Sequence, residues 1–266
     1  MSDLDLVIND LRAEGDELYA FLQTLEGDDW ERVTGFKNWT ITDVVAHLYF
    51  GDYLALTSCR DSEEFLAFLT EVRATKLSLV DYTRQWLNDP AGPNMLERWR
   101  EQFLLMCERF ANTDPEERFL WAGPDMGIRM FATARLMETW AHSWEVYDVL
   151  GLSRKQSDRI SHIATIGAKT YGWTFANRKL DKPGPAPYLS LSLPSGELWE
   201  CNTPQQDNYI SGDAVEFCQV VTQVRNIADT QLEVSDGAAS QWMAIAQCFA
   251  GPPEQPPAPG LRQFQA

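Results

Sequence analysis

Histidines are few, basic residues are outnumbered, no C-x-x-C pair occurs and no long apolar run appears. Each shortage narrows what this chain does. Lysine and arginine number 22 against 39 aspartates and glutamates, a formal net charge of −17. Nucleic acids and anionic membrane surfaces both require a basic footprint, so neither is expected as a partner. No stretch is long and apolar enough to span a bilayer. The opening MSDLDLVIND lacks the basic start and apolar core of a secretory signal, so the chain is expected in the cytoplasm. The five cysteines (Cys59, Cys107, Cys201, Cys218 and Cys248) are odd in number and scattered, which fits free thiols in a reducing compartment. P-loop, dinucleotide-fingerprint, nucleophile-elbow and H-E-x-x-H motifs are all absent.

What is there is a folded composition, 44% hydrophobic and 23% charged over 266 residues, enough for one large domain or two small ones. The first half is patterned for helices. Leu4, Val7, Ile8, Leu11, Leu18, Phe21, Leu22 and Leu25 follow three-and-four spacing. Thr40 with Asp43 three residues on predicts a helix start, the helix running from Ile41 into the high fifties. Further helices are expected over Ser62 to Leu87, over Met95 to Asn112, and from the Gly123–Gly127 loop to a C-cap at Gly151.

The pattern then changes. After a helix over Ser157 to Ala176 and a turn-rich break at Lys182–Pro187, Tyr188 to Leu193 alternates with period two, Ser195-Gly196 turns, and Glu197 to Cys201 returns, predicting a β-hairpin. A helix from Gly212 to Arg225, a strand at Leu232–Val234 and a final helix to Phe249 complete the expected unit, and the proline-rich end is expected to be disordered.

Chemistry is concentrated in one stretch, METWAHSWEV. Ala134, Glu138, Ala141, His142 and Glu145 fall on a single helical stripe, because residues three or four apart are neighbours on a helix surface. His47, on the helix begun by Thr40, is one of only two other histidines; the third is His162. Two imidazoles and a carboxylate from facing helices match the His₂Glu set of catalytic zinc, which keeps a fourth position open. The spacing also fits a surface pair or a hydrogen-bonded core histidine. Asp43 reads as a capping residue or as a carboxylate orienting a ligand histidine. Tyr49, Asp52 and Trp144 are candidates for the pocket mouth, His162 for a structural role, and Trp39 and Trp140 for the core.

Residues Asn38 to Leu48, NWTITDVVAHL, resemble the W-[ST]-x-x-D-x-x-A-H-L signature of the DinB-like superfamily, which includes the mycothiol-dependent maleylpyruvate isomerases. Phe131 to His142 resembles the second signature, E-x-x-x-H, in a subgroup described as metal-binding proteins, and Ala246 to Pro253 is similar to that subgroup's ending of the last helix. The resemblance implies an α+β architecture: a DinB-like four-helix bundle over residues 1–153, a small sterol-carrier-like α/β domain over 154–250, and a proline-rich tail at 251–266. It carries the metal ligands onto His47, Glu138 and His142, with zinc the expected ion and nickel the other.

An arginine is contributed in the family after a motif like S-G-x-A…T-G-R. Here Ser211-Gly212-Asp213-Ala214 matches, but Val224 stands at the arginine position and Arg225 follows it. Arg225, and Arg135 beside the metal stripe as a substrate-carboxylate binder, are therefore the candidate catalytic residues. The implied activity is an isomerase or S-transferase that uses a low-molecular-weight thiol on an electrophilic small molecule. The competing readings are a metal-dependent hydrolase or lyase, with Glu145 or Asp52 as base, and a non-catalytic metal- or ligand-binding protein. Family bundles often pair, which makes a homodimer the expected assembly.

Overall fold

The computed structural model describes residues 2–262. It divides into two compact units between Leu150 and Gly151. The first contains α1 (Asp3–Leu22), α2 (Ile41–Arg60), α3 (Ser62–Ala74), α4 (Leu79–Leu87), α5 (Gly92–Ala111), the two-residue strands β1 (Arg118–Phe119) and β2 (Met126–Gly127), and α6 (Ile128–Leu150). Helices α1, α2, α5 and α6 form a four-helix bundle, in which α2 and α1 each pack against both α5 and α6. Helices α3 and α4 lie against α2.

Local chemistry sets these boundaries. Thr40 caps α2: its hydroxyl accepts from the Asp43 N–H while the Asp43 carboxylate accepts from the Thr40 N–H at 2.8 Å, a reciprocal box that starts the helix six residues before His47. The single helix expected over Ser62 to Leu87 is two, because Lys76 takes a left-handed φ of 56° and Ser78 caps α4 through the Asp81 N–H. Helix α6 buries residues around most of its circumference, apolar ones such as Phe131, Leu136, Trp140 and Val146 together with the polar Arg135, His142 and Glu145.

The second unit holds α7 (Ser161–Lys169), α8 (Tyr171–Asn177), β3 (Tyr188–Ser192), β4 (Leu198–Cys201), β5 (Tyr209–Asp213), α9 (Ala214–Val221), β6 (Glu233–Val234) and α10 (Ala238–Met243). The predicted hairpin is present as β3 and β4, antiparallel with Leu191 opposite Trp199. The sheet order is β4-β3-β5-β6, with β5 parallel to β3.

Strand β5 was not legible in the sequence. Gly212, expected to open a helix, lies within the strand at φ 137°, and Asp213, the last residue of the strand, caps α9. The helix expected over Ser157 to Ala176 is broken at Thr170, and the last helix stops at Met243 rather than Phe249. The proline-rich segment carries no helix or strand among its described residues. Proline leaves its carbonyl as an acceptor, and side-chain amides of this unit take such carbonyls: Asn226 donates to Pro257 at 2.8 Å and Gln247 to Pro252 at 3.1 Å. Residues 263–266 of the expected tail lie outside the described residues.

Candidate metal centre

The bundle brings His47 of α2 to face Glu138 and His142 of α6. The Glu138 Oε2 atom lies 3.4 Å from His142 Nε2 and 3.7 Å from His47 Nε2. One ligand-type atom from each of the three residues fits within 4.8 Å of the other two. A tetrahedral zinc ion with bonds of about 2.0–2.1 Å separates its ligand atoms by roughly 3.3–3.4 Å, so the spacing is close to what such an ion requires.

The surroundings fit the same purpose. His142 Nδ1 faces Glu145 Oε2 at 3.3 Å, the carboxylate–histidine arrangement that orients a ligand imidazole. The Nδ1 atoms of His47 and His142 are both buried without a hydrogen bond of regular geometry among the described residues, so Glu145 stands beside His142 as a charge partner. Trp39 and Phe36 close one side: the Trp39 ring is 5.0 Å from His47, and Phe36 meets His142 edge-on at 5.3 Å. Two imidazoles and a carboxylate, each side chain no more than about a fifth exposed, make a donor set that fits a divalent cation.

Without metal the three groups share charge unequally. Burial drives the His47 pKa down to about 4, against the pull of Glu138. Burial also opposes charge on His142, but Glu145 and Glu138 outweigh it and lift that pKa to about 9. Burial alone would raise Glu138, yet hydrogen bonds from His142 and His47 hold it well below the usual carboxylate range.

A histidine raised from about 6.5 to about 9 contributes stability that is fully present below the lower value and lost as pH rises through the upper one. The metal-free protein is therefore expected to melt at progressively lower temperature from about pH 6.5 to 9, and Glu145→Gln should flatten that slope. Calorimetric scans in chelator would test this, and a slope unchanged by Glu145→Gln would count against it.

Other expected residues fall elsewhere. Arg135 is buried, and its Nε donates to Asp52 Oδ1 at 2.8 Å. A guanidinium committed to an internal carboxylate does not suit the substrate-binding role expected of it. Gly51 makes room for this pair, since a Cβ there would lie 2.6 Å from Arg135 Nη1. Asp52 is not at a pocket mouth: it is fully buried, and it also accepts from Trp99 Nε1 at 2.9 Å. Trp144 is buried against Trp140, and Tyr49 packs with Tyr53 and Trp86. Asp43 caps α2 and pairs with Arg84, and the carboxylate beside His142 Nδ1 is that of Glu145. Its signal was available, three residues beyond His142 on the same stripe. Arg225 lies in the second unit, where its Nη1 donates to Val224 O at 3.0 Å. His162 is on α7 of that unit.

The sequence pattern of the mycothiol maleylpyruvate isomerase N-terminal domain matches residues 11–147, just over half of the chain and inclusive of His47, Glu138 and His142. The chain belongs to this family. Uncharacterised proteins from two strains of Mycobacterium tuberculosis are each 34% identical to it over 253 residues, covering 95% of this chain and 98% of theirs. The crystal structure of the mycothiol-dependent maleylpyruvate isomerase superposes with a TM-score of 0.55 at 12% identity, covering 82% of this chain and 88% of that one. A histidine-to-alanine mutant of that isomerase superposes with a TM-score of 0.53 over the same shares. At that identity the likeness is one of fold, and it extends beyond the family domain into the second unit. No helix among the described residues is long and apolar enough to cross a membrane.

Proposed function

We propose that this member of the mycothiol maleylpyruvate isomerase N-terminal domain family is a metal-dependent enzyme that uses a small-molecule thiol on an electrophilic small molecule, in an isomerisation or S-transfer. The observation that carries this reading is the convergence of His47, Glu138 and His142 on one point between α2 and α6. These three residues would hold a divalent ion, zinc by preference for two imidazoles and a carboxylate, with nickel the alternative. A bound zinc supplies deprotonation of a thiol at neutral pH.

The chain's own residues prepare that chemistry. Glu145 places a carboxylate 3.3 Å from His142 Nδ1, and Trp39 and Phe36 cover one side of the site. The Arg135 charge helps hold Glu138 as a carboxylate. In an isomerisation the thiol sulfur adds to a carbon–carbon double bond, the resulting single bond rotates, and the carbon–sulfur bond breaks to return the thiol. In a transfer that bond persists. Arg225 stays a candidate substrate contact on the family resemblance alone.

The hydrolytic reading needs a carboxylate free to act as base near the metal. Asp52 is taken by Arg135 and Trp99, and Glu145 stands behind His142. The thiol reading needs no such base and is preferred. To test it, zinc-loaded protein is assayed with mycothiol, glutathione or bacillithiol against cis-enoate and epoxide panels. Turnover that requires both metal and one of these thiols is expected. Turnover of esters with no thiol present would replace this reading with hydrolysis, and no turnover with any thiol would favour a binding protein.

A further inference from the structure

A groove runs between α1 and α5. Ile8, Leu104, Cys107 and Ala111 give it apolar surface, Asn9, Arg12 and Glu108 complete its lining, and it offers about 360 Å³ of free space. That volume is at the small end of the roughly 300–1,000 Å³ of small-molecule sites. The proposed metal ligands lie on α2 and α6, the other two helices of the bundle. The groove is also at the other end of the bundle: Arg109, two residues past Cys107, donates through Nη2 to Cys59 O at 2.6 Å, and Cys59 is twelve residues beyond His47, about 18 Å along α2. The two sites are separate.

Helix spacing builds the groove. Ile8 and Arg12 are four apart on α1, and Leu104, Cys107, Glu108 and Ala111 are three or four apart on α5, so each helix contributes one stripe. Ala111 is too short to close the space between them. Ile8 and Cys107 are buried, and Cys107 serves as a small apolar group, because burial pushes its thiol pKa up against the pull of the Arg12 charge. That pull also puts the Arg12 guanidinium within electrostatic reach of the groove floor. Arg12 and Glu108 are exposed, and among the described residues neither side chain has a hydrogen bond or an ion pair. An apolar groove is thus flanked by a cation from α1 and an anion from α5 that are not paired with each other. A plain carboxylate would approach Glu108 and a plain amine would approach Arg12, each a like-charge contact that costs affinity. A zwitterion with an apolar body answers both charges.

We infer that the α1–α5 groove binds a free α-amino acid with an aliphatic side chain, the carboxylate taken by Arg12, the ammonium by Glu108 and the side chain laid on Ile8, Leu104 and Cys107. This second site needs neither the metal nor the thiol chemistry of the proposed function.

The test titrates full-length protein by calorimetry with leucine, with N-acetylleucine, which keeps the carboxylate without the ammonium, and with leucinamide, which keeps the ammonium without the carboxylate. Wild type is expected to bind leucine, and each analogue about 10-fold more weakly, the effect of one charged hydrogen bond at an exposed rim. Arg12→Gln should bind leucine about 10-fold more weakly and leucinamide as wild type does. Glu108→Gln should likewise lose leucine while keeping the wild-type hold on N-acetylleucine. Ala111→Phe, which fills the groove from an exposed position, should abolish binding of all three. Melting curves should be unchanged by the two charge variants, and these decide the matter if Ala111→Phe fails to fold. Absence of leucine binding by wild type would overturn the inference, as would equal leucine binding by wild type, Arg12→Gln and Glu108→Gln. N-acetylleucine bound as tightly as leucine would overturn it too, since a site that ignores the ammonium does not read a zwitterion.

Discussion

His142→Ala is expected to abolish metal binding, reducing the content from about one ion per chain to background by plasma mass spectrometry. His142 is one of three protein ligands on a site that must leave a position open for a reactant. Removing a partner that merely orients a ligand costs roughly 10–100-fold in metal affinity. Removing the ligand itself should cost more than about a hundred-fold. Glu145→Gln supplies the internal scale: it leaves the three ligands in place and weakens the hold on His142 Nδ1, so it should retain metal at a roughly 10–100-fold lower affinity, read by competition with a chromophoric chelator. The two variants together separate holding the metal from aiming its ligand. An equimolar metal content in His142→Ala would remove the proposed centre. Background metal in wild type would do the same and leave METWAHSWEV a core helix whose glutamate and histidine pair with each other.

The largest loss of stability is expected from Asp52→Ala. Asp52 is fully buried on α2, and its carboxylate answers both the Arg135 guanidinium of α6 and the Trp99 indole of α5. Truncating it leaves a buried cation and a buried N–H without their acceptor. Breaking a buried pair in this way costs about 3–5 kcal/mol, because an uncompensated charge remains where water cannot reach it. Near 2–4 °C per kcal/mol for a chain of this size, the melting temperature should drop by roughly 10 °C. Asp52→Asn keeps an acceptor for Trp99 and should lose less. The double variant Asp52→Ala with Arg135→Met removes both charges and should recover much of the loss. Scanning calorimetry resolves these cases, and a drop under about 1 kcal/mol for Asp52→Ala would show that the pair is solvated. The pair joins the two helices that carry the proposed ligands, with Asp52 five residues after His47 and Arg135 three before Glu138. A relaxed metal affinity in Asp52→Ala would tie bundle stability to site geometry.

Much of this protein was legible without coordinates. Helix periodicity and the Thr40–Asp43 box depend only on residues within a few positions of each other, so they located α1, α2, α5 and α6, and the period-two run from Tyr188 located the hairpin. The i, i+4 spacing of Glu138 and His142 put both on one face for the same reason, and the family signatures added His47. Short local departures escaped because single residues decide them: Lys76 in a left-handed turn splits α3 from α4, and Gly212, at φ 137°, stays in a strand where a helix was expected to open.

Side-chain partnership between helices was decided by the tertiary structure alone. The pattern along α2 places Asp43 and Asp52 among inward-facing residues without saying which helix either one meets. Packing sends Asp43 to Arg84 of α4 and Asp52 to Arg135 of α6, and leaves Glu145 to orient His142. Periodicity reports which face of a helix is turned inward. The pairing of charges depends on the rotation and axial offset of one helix against another, which is set by close approaches such as that of the Arg135 guanidinium to the bare backbone of Gly51.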